Sequence, residues 1–137
     1  MLRIGIVLAV FVAAGAASAA DVLLQPYEVM EHRRRMVDAG GLEADLKAAL
    51  DAAALPKAAG AGEKLSRVLG REIRYWEKAG LPDALGLARR NIASASAVAA
   101  SARAGRLEAA RADFAEMQTT CVACHELHPE NRVLVAR

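Results

Sequence analysis

Aromatic side chains are scarce, with one Trp, two Tyr and two Phe in 137 residues. Rings cannot dominate the core, and much of the 55% hydrophobic share is alanine, so the core is thin unless a large apolar group fills it. One-sided charge is missing as well. Eighteen Lys plus Arg face 16 Asp plus Glu, a formal net charge of +2, which excludes the basic stripe of a nucleic-acid binder. No run alternates β-branched and polar residues, so nothing signals a sheet. Cysteine is limited to two residues, and the length is that of a single domain.

Only one extended apolar run occurs, and it stands at the N-terminus. Arg3 precedes the 11 residues from Ile4 to Ala14, and Ala17-Ser18-Ala19 then offers small residues where a signal peptidase reads. This is the pattern of a secretory signal peptide over residues 1–20, cleaved after Ala19 or Ala20. The run is short for a membrane span, and no stop-transfer segment follows, so no membrane insertion is expected after cleavage. Residues 21–137 form the mature chain.

That chain reads as helix throughout, rich in Ala, Leu, Glu, Lys and Arg. Breaks are expected at Leu55-Pro56 to Gly62, at Gly80-Leu81-Pro82 and at Gly105. They leave four stretches of the size found in an antiparallel four-helix bundle. Gly80 closes one helix and Pro82 opens the next. Gly40-Gly41 leaves the first stretch as either one kinked helix or two. Leu65, Val68, Leu69, Ile73 and Trp76 form the apolar side of the second. In the third, Leu85, Ala88, Ile92, Ala95, Ala99 and Ala102 make a small-residue seam. Leu107, Ala110, Phe114, Met117, Cys121 and Cys124 repeat that spacing in the fourth.

Both cysteines fall in Cys121-Val122-Ala123-Cys124-His125, the CxxCH arrangement of c-type haem attachment. Two thiols three residues apart on a helix can each bond a vinyl group of one porphyrin, and the adjacent His125 reaches the iron as proximal ligand. A thioredoxin-like pair would need a βαβ context, and a zinc site would need a further ligand. One covalent haem c with its iron is therefore the expected cofactor, and it would supply the bulk that the alanine-rich faces lack.

An exported four-helix chain whose CxxCH lies near the end of its last helix resembles the class II c-type cytochromes, the cytochrome c prime family. The likeness is best from Pro82 to His125. Pro129 stands where that family often has Arg, with Arg132 three residues further on. The resemblance implies an iron whose sixth position on the first helix is either a Met, giving a low-spin carrier, or an apolar residue, leaving an open gas site.

Candidates for that position are Met36, Met30 and His32. At about 100° per residue, Met36 shares a face with Val22 and Val29, whereas Met30 lies about 120° away. The run His32-Arg33-Arg34-Arg35-Met36 is similar to the family's Arg shortly before its distal residue. Met36 is thus the preferred ligand, Met30 the runner-up, and an iron with no sixth protein ligand the remaining case. His32 is a further candidate, with an exposed or propionate-facing ring as the plainer reading. Three consecutive arginines sweep about 200°, so at least one nears the buried face. Arg34 is assigned there as a partner for a haem propionate, and the others as solvated or as a docking face for an acidic redox partner. His128 belongs to the proximal side, as solvated surface or a bond to the proximal region. Met117 is also proximal, and Tyr75 and Trp76 serve as core or haem-edge packing.

The expected function is that of a periplasmic electron carrier serving redox partner proteins, and not an enzyme. The alternative is a five-coordinate protein binding nitric oxide or carbon monoxide. A weak peroxidase-like enzyme, with His32 transferring protons, is a third. The resemblance admits a homodimer through the first two helices as well as a monomer.

Overall fold

A computed structural model describes residues 24–129. Residues 1–20, expected to be a signal peptide, and Arg132 lie outside the described residues. Among the described residues the structure is helical, without strands, and four helices pack against each other. In chain order the helices are α1 (Pro26–Asp51), α2 (Leu55–Gly70), α3 (Ile73–Ala79), α4 (Pro82–Arg103) and α5 (Leu107–Leu127). None of them is long and apolar enough to cross a membrane.

Local chemistry accounts for most of the boundaries. Pro26, Pro56 and Pro82 each sit in a first turn, where the missing N–H costs nothing. The Glu28 carboxylate accepts a hydrogen bond from the Gln25 N–H at 2.8 Å and so caps α1. Gly80 (φ 68°) and Gly105 (φ 72°) take the left-handed conformation that ends α3 and α4 without Cβ strain.

Three expectations are corrected. The glycine pair Gly40-Gly41 interrupts nothing, and α1 runs unbroken for 26 residues. The break at Leu55-Pro56 does not extend to Gly62, which lies within α2. There a Cβ would stand 3.0 Å from the Ala95 carbonyl oxygen and 3.2 Å from the Ala99 Cβ, so glycine permits a close α2–α4 crossing. The second stretch is two helices instead of one. Its chain turns at Arg71-Glu72, where N–H groups bond back three residues to Val68 and Leu69, and α3 then packs against α4.

Cross-helix pairs fix the directions. Ser66 meets Ser96 at 2.9 Å, and Gly62 abuts Ala99, so α2 and α4 are antiparallel. Ser101 donates to Asp113 at 2.8 Å, and His128 contacts Asp83 at 3.0 Å, so α4 and α5 are antiparallel as well. The main core joins α1, α2, α4 and α5 through residues such as Leu46, Leu50, Leu65, Val98, Phe114 and Met117. Within the small-residue seam Ala88, Ala95, Ala99 and Ala102 are buried, while Leu85 and Ile92 are half-buried. A second cluster holds Tyr75 and Trp76 of α3 against Ala84 and Ala88, which makes both rings core.

The bundle is least closed between its first and last helices. α1 packs extensively on α2 and α5 on α4, yet α1 touches α5 at few points. A gap therefore runs between these two helices.

Candidate functional site: a cavity between the first and last helices

The gap holds a cavity of about 720 Å3 including its mouth, with a mostly apolar lining. Its walls come from His32, Met36, Ala39, Gly40 and Glu43 on α1 and from Met117, Cys121, Cys124 and His125 on α5. Leu65, Leu69, Ala88 and Asn91 close the back, with Glu72 and Trp76 at the α3 end.

Regular contacts set the register of the two facing walls. Arg111 Nη2 donates to the Leu50 carbonyl at 3.1 Å, and Gln118 Nε2 donates to Glu43 Oε1 at 3.2 Å. Seven residues back along α1 thus match seven forward along α5. A further seven bring Met36 level with His125 across the cavity.

The CxxCH residues are brought to one wall. Cys121, Cys124 and His125 are half-buried lining residues, and the cysteines are thiols, not a disulfide. Burial, reinforced by the Glu43 carboxylate and the neighbouring Cys124, pushes the Cys121 thiol up to about 12. The Asn91 side chain offsets this in part by hydrogen bonding to Cys121. A thiol so held is the opposite of the acidic nucleophile that a redox pair requires. Among the described residues no three His, Cys, Asp or Glu side chains gather to hold a metal ion by themselves, as a zinc site would.

Met36 is half-buried, lines the cavity and packs against the main core. Met30 is 65% exposed and does not line it. Met117 is fully buried beneath the α5 wall. Within the arginine run, Arg33 and Arg34 are exposed and Arg35 is the inward member. Arg34, assigned from sequence to a propionate, is not among the lining residues.

Neither outlying histidine is a surface residue. The His32 ring is fully buried, which removes the exposed alternative of its expected exposed or propionate-facing setting. Its Nδ1–H donates to Glu72, which also accepts from Arg35 Nε. The ring stacks on Tyr75 (centroids 4.1 Å apart, planes within 3°) and meets Trp76 edge-on. His32 Nε2 and Asn91 Oδ1 are buried without a hydrogen-bond partner. His128 is buried too, its Nε2 at 3.0 Å from Asp83 Oδ2 and its ring tilted over Trp76, so it ties the end of α5 to the start of α4.

Sequence reasoning missed Glu72 and Asn91. Glu72 interrupts the apolar face Leu69, Ile73 and Trp76 at helical spacing, and Asn91 does the same among Leu87, Ala88 and Ala95. A polar residue inside an apolar stripe was the available signal.

The residues present fit a haem. The thiols and His125 share one wall, a thioether stands level with His125 on the other, and two buried polar atoms at the cavity await a partner. No family model matches the chain, and no curated protein or solved structure matches it either.

Proposed function

We propose that the chain is a periplasmic monohaem c-type cytochrome, of the class II kind that its sequence resembles, and that it carries single electrons between redox proteins. The observation that supports this best is the placement of Cys121, Cys124 and His125 on one wall of an apolar cavity, with Met36 on the α1 wall one seven-residue step beyond the Gln118–Glu43 bond. Bound there, haem c supplies a one-electron ferric/ferrous couple.

Each chain residue then has a task. Cys121 and Cys124 would hold the porphyrin through thioether bonds to its two vinyl groups, each sulfur bonding carbon as its hydrogen passes to the neighbouring carbon. His125 on α5 and Met36 on α1 would hold its iron. With a neutral thioether and an imidazole as its ligands, the iron would favour the ferrous state and a raised potential. The apolar lining, including Leu65, Leu69 and Met117, keeps water away and lowers the reorganisation that accompanies a change of charge. Arg33 and Arg34, exposed on the helix that carries Met36, offer a positive face to an acidic partner protein.

Absorption and EPR spectra of the haem-loaded chain, ferric and ferrous, with and without carbon monoxide, test the reading beside Met36→Ala and Met30→Ala. The wild type is expected to be low-spin and to take up carbon monoxide readily only as Met36→Ala, with Met30→Ala unchanged. A high-spin wild type that binds carbon monoxide and ignores both substitutions would transfer the assignment to gas binding. An exported chain without covalent haem would overturn both.

A further inference from the structure

Haem ligation by His125 and Met36 leaves one feature of the α1 wall unexplained, a glycine. Inside a helix glycine is costly relative to alanine, and it persists where the backbone needs positive φ or where another group must approach the backbone closely. Gly40 lies in the middle of α1, which runs unbroken through it. Its φ is not positive, and nothing outside its own stretch of helix comes within 4 Å of where a Cβ would stand. Gly62 shows the contrast, since there the approaching group is α4 of the same chain. The open space at Gly40 belongs instead to the cavity, which this residue lines.

We propose that Gly40 is the clearance position of the haem site, its missing side chain letting the macrocycle edge bonded to Cys121 lie against the α1 backbone; the inference rests on the haem reading above. Register is the first argument. Glu43 bonds Gln118 across the gap, and Leu50 bonds Arg111, so three residues back from Glu43 and three forward from Gln118 bring Gly40 opposite Cys121. Met36 and Glu43 line the cavity on either side of Gly40, and Ala39 supplies only a methyl group, so α1 is bare where the first thiol faces it.

The reach of Met36 is the second. Gly40 lies one turn further along α1 and about 40° round it. A methionine sulfur that reaches an iron draws its helix close to the ring, so the next turn on that side must stay low. Cα–Cβ bonds tilt towards a helix N-terminus, so a side chain at position 40 would lean over the turn of Met36 and hold α1 off the ring. Mid-helix N–H and C=O groups are already bonded within α1, so the bare stretch offers no unpaired polar atom to a flat apolar ligand. Gly41 has equally open surroundings but does not line the cavity, which makes it the internal control.

Urea denaturation of the haem-loaded chain separates the two glycines, because thioether-bound haem stays on the unfolded chain and the midpoint then reads its packing against the helices. Followed by far-UV circular dichroism, Gly41→Ala is expected to raise the midpoint and Gly40→Ala to lower it. The larger Gly40→Leu is expected to push α1 away, so that Met36 leaves the iron and the ferric absorption spectrum turns high-spin, while Gly41→Leu keeps the low-spin spectrum of the wild type. Should the wild type itself be high-spin, the midpoints alone decide, since the α1 wall still faces the ring. A midpoint raised as much by Gly40→Ala as by Gly41→Ala would show that the room is unused, and would overturn the proposal while leaving the haem reading intact. A wild-type chain exported without covalent haem would overturn the haem reading itself.

Discussion

Alanine in place of glycine should have opposite effects at two positions of this bundle. Both Gly41 and Gly62 lie inside helices, where Gly→Ala ordinarily stabilises by up to about 1 kcal/mol through reduced backbone entropy. At Gly41 an added Cβ meets nothing within 4 Å, so the full gain is expected. At Gly62 it meets the Ala95 carbonyl oxygen at 3.0 Å, the Ala99 Cβ at 3.2 Å and the Ala99 nitrogen at 3.3 Å. Two of these three atoms are backbone, so relief requires α4 to move as a body. Overpacking of this kind costs about 1–3 kcal/mol, which offsets the propensity gain and leaves Gly62→Ala destabilised by up to about 2 kcal/mol. Urea denaturation, followed by far-UV circular dichroism, would show a raised midpoint for Gly41→Ala and a lowered one for Gly62→Ala at unchanged slope. Equal stabilisation by both substitutions would refute the close crossing of α2 and α4.

Other perturbations act on charge and thiol chemistry. Glu72→Ala strips two buried donors of their acceptor and is expected to cost about 2–4 kcal/mol in the same assay; water reaching Arg35, which is 18% exposed, keeps the figure below that for a sealed pair. The Glu28 carboxylate and Lys78 ammonium, 2.7 Å apart, hold Glu28 below and Lys78 above their ordinary values. Glu28 therefore contributes stability above its unfolded value of 4.5 that is lost as pH falls through its lower folded one. Lys78 contributes stability below 10.5 that is lost as pH rises through its higher folded one. Thermal midpoints from pH 2 to 12 should show Glu28→Gln converging on the wild type at both extremes, and a constant gap would refute the pairing. Cys121, its thiol pushed up to about 12, should be alkylated by iodoacetamide at pH 8 about a thousandfold more slowly in the folded chain than in urea. Peptide mass mapping reads this, and equal rates would show that the thiol is not buried as described. Asp83→Ala should loosen the end of α5, seen as faster amide exchange near His128, whose Nε2 loses its partner.

Much of the scaffold was legible because it follows from neighbours in sequence. The spacings of the α4 and α5 seams, the stop at Gly80, the start at Pro82 and the turn at Gly105 all depend on local backbone chemistry, and they reappear where expected. The bend at Glu72 was missed because apolar spacing continues from Leu69 through Ile73 to Trp76, which outweighed the one local signal, Gly70 at the end of α2. The packing of α3 on α4 and the bonds of Glu72 to His32 and Arg35 hold the turn there.

The site divides along the same line. Sequence by itself determined the thiol and imidazole set, Cys121, Cys124 and His125, since CxxCH spacing places all three on consecutive turns of one helix wherever that helix packs. It also narrowed the facing wall to a few residues of α1. Tertiary structure alone decided among them. How α1 docks turns Met36 inward and Met30 outward, and selects Arg35 in place of Arg34 as the inward arginine. It also draws Glu72 across from the α2–α3 bend to meet a histidine 40 residues earlier. A helical period states which residues share a face, but the azimuth at which that face meets its neighbours is set by packing among helices distant in sequence.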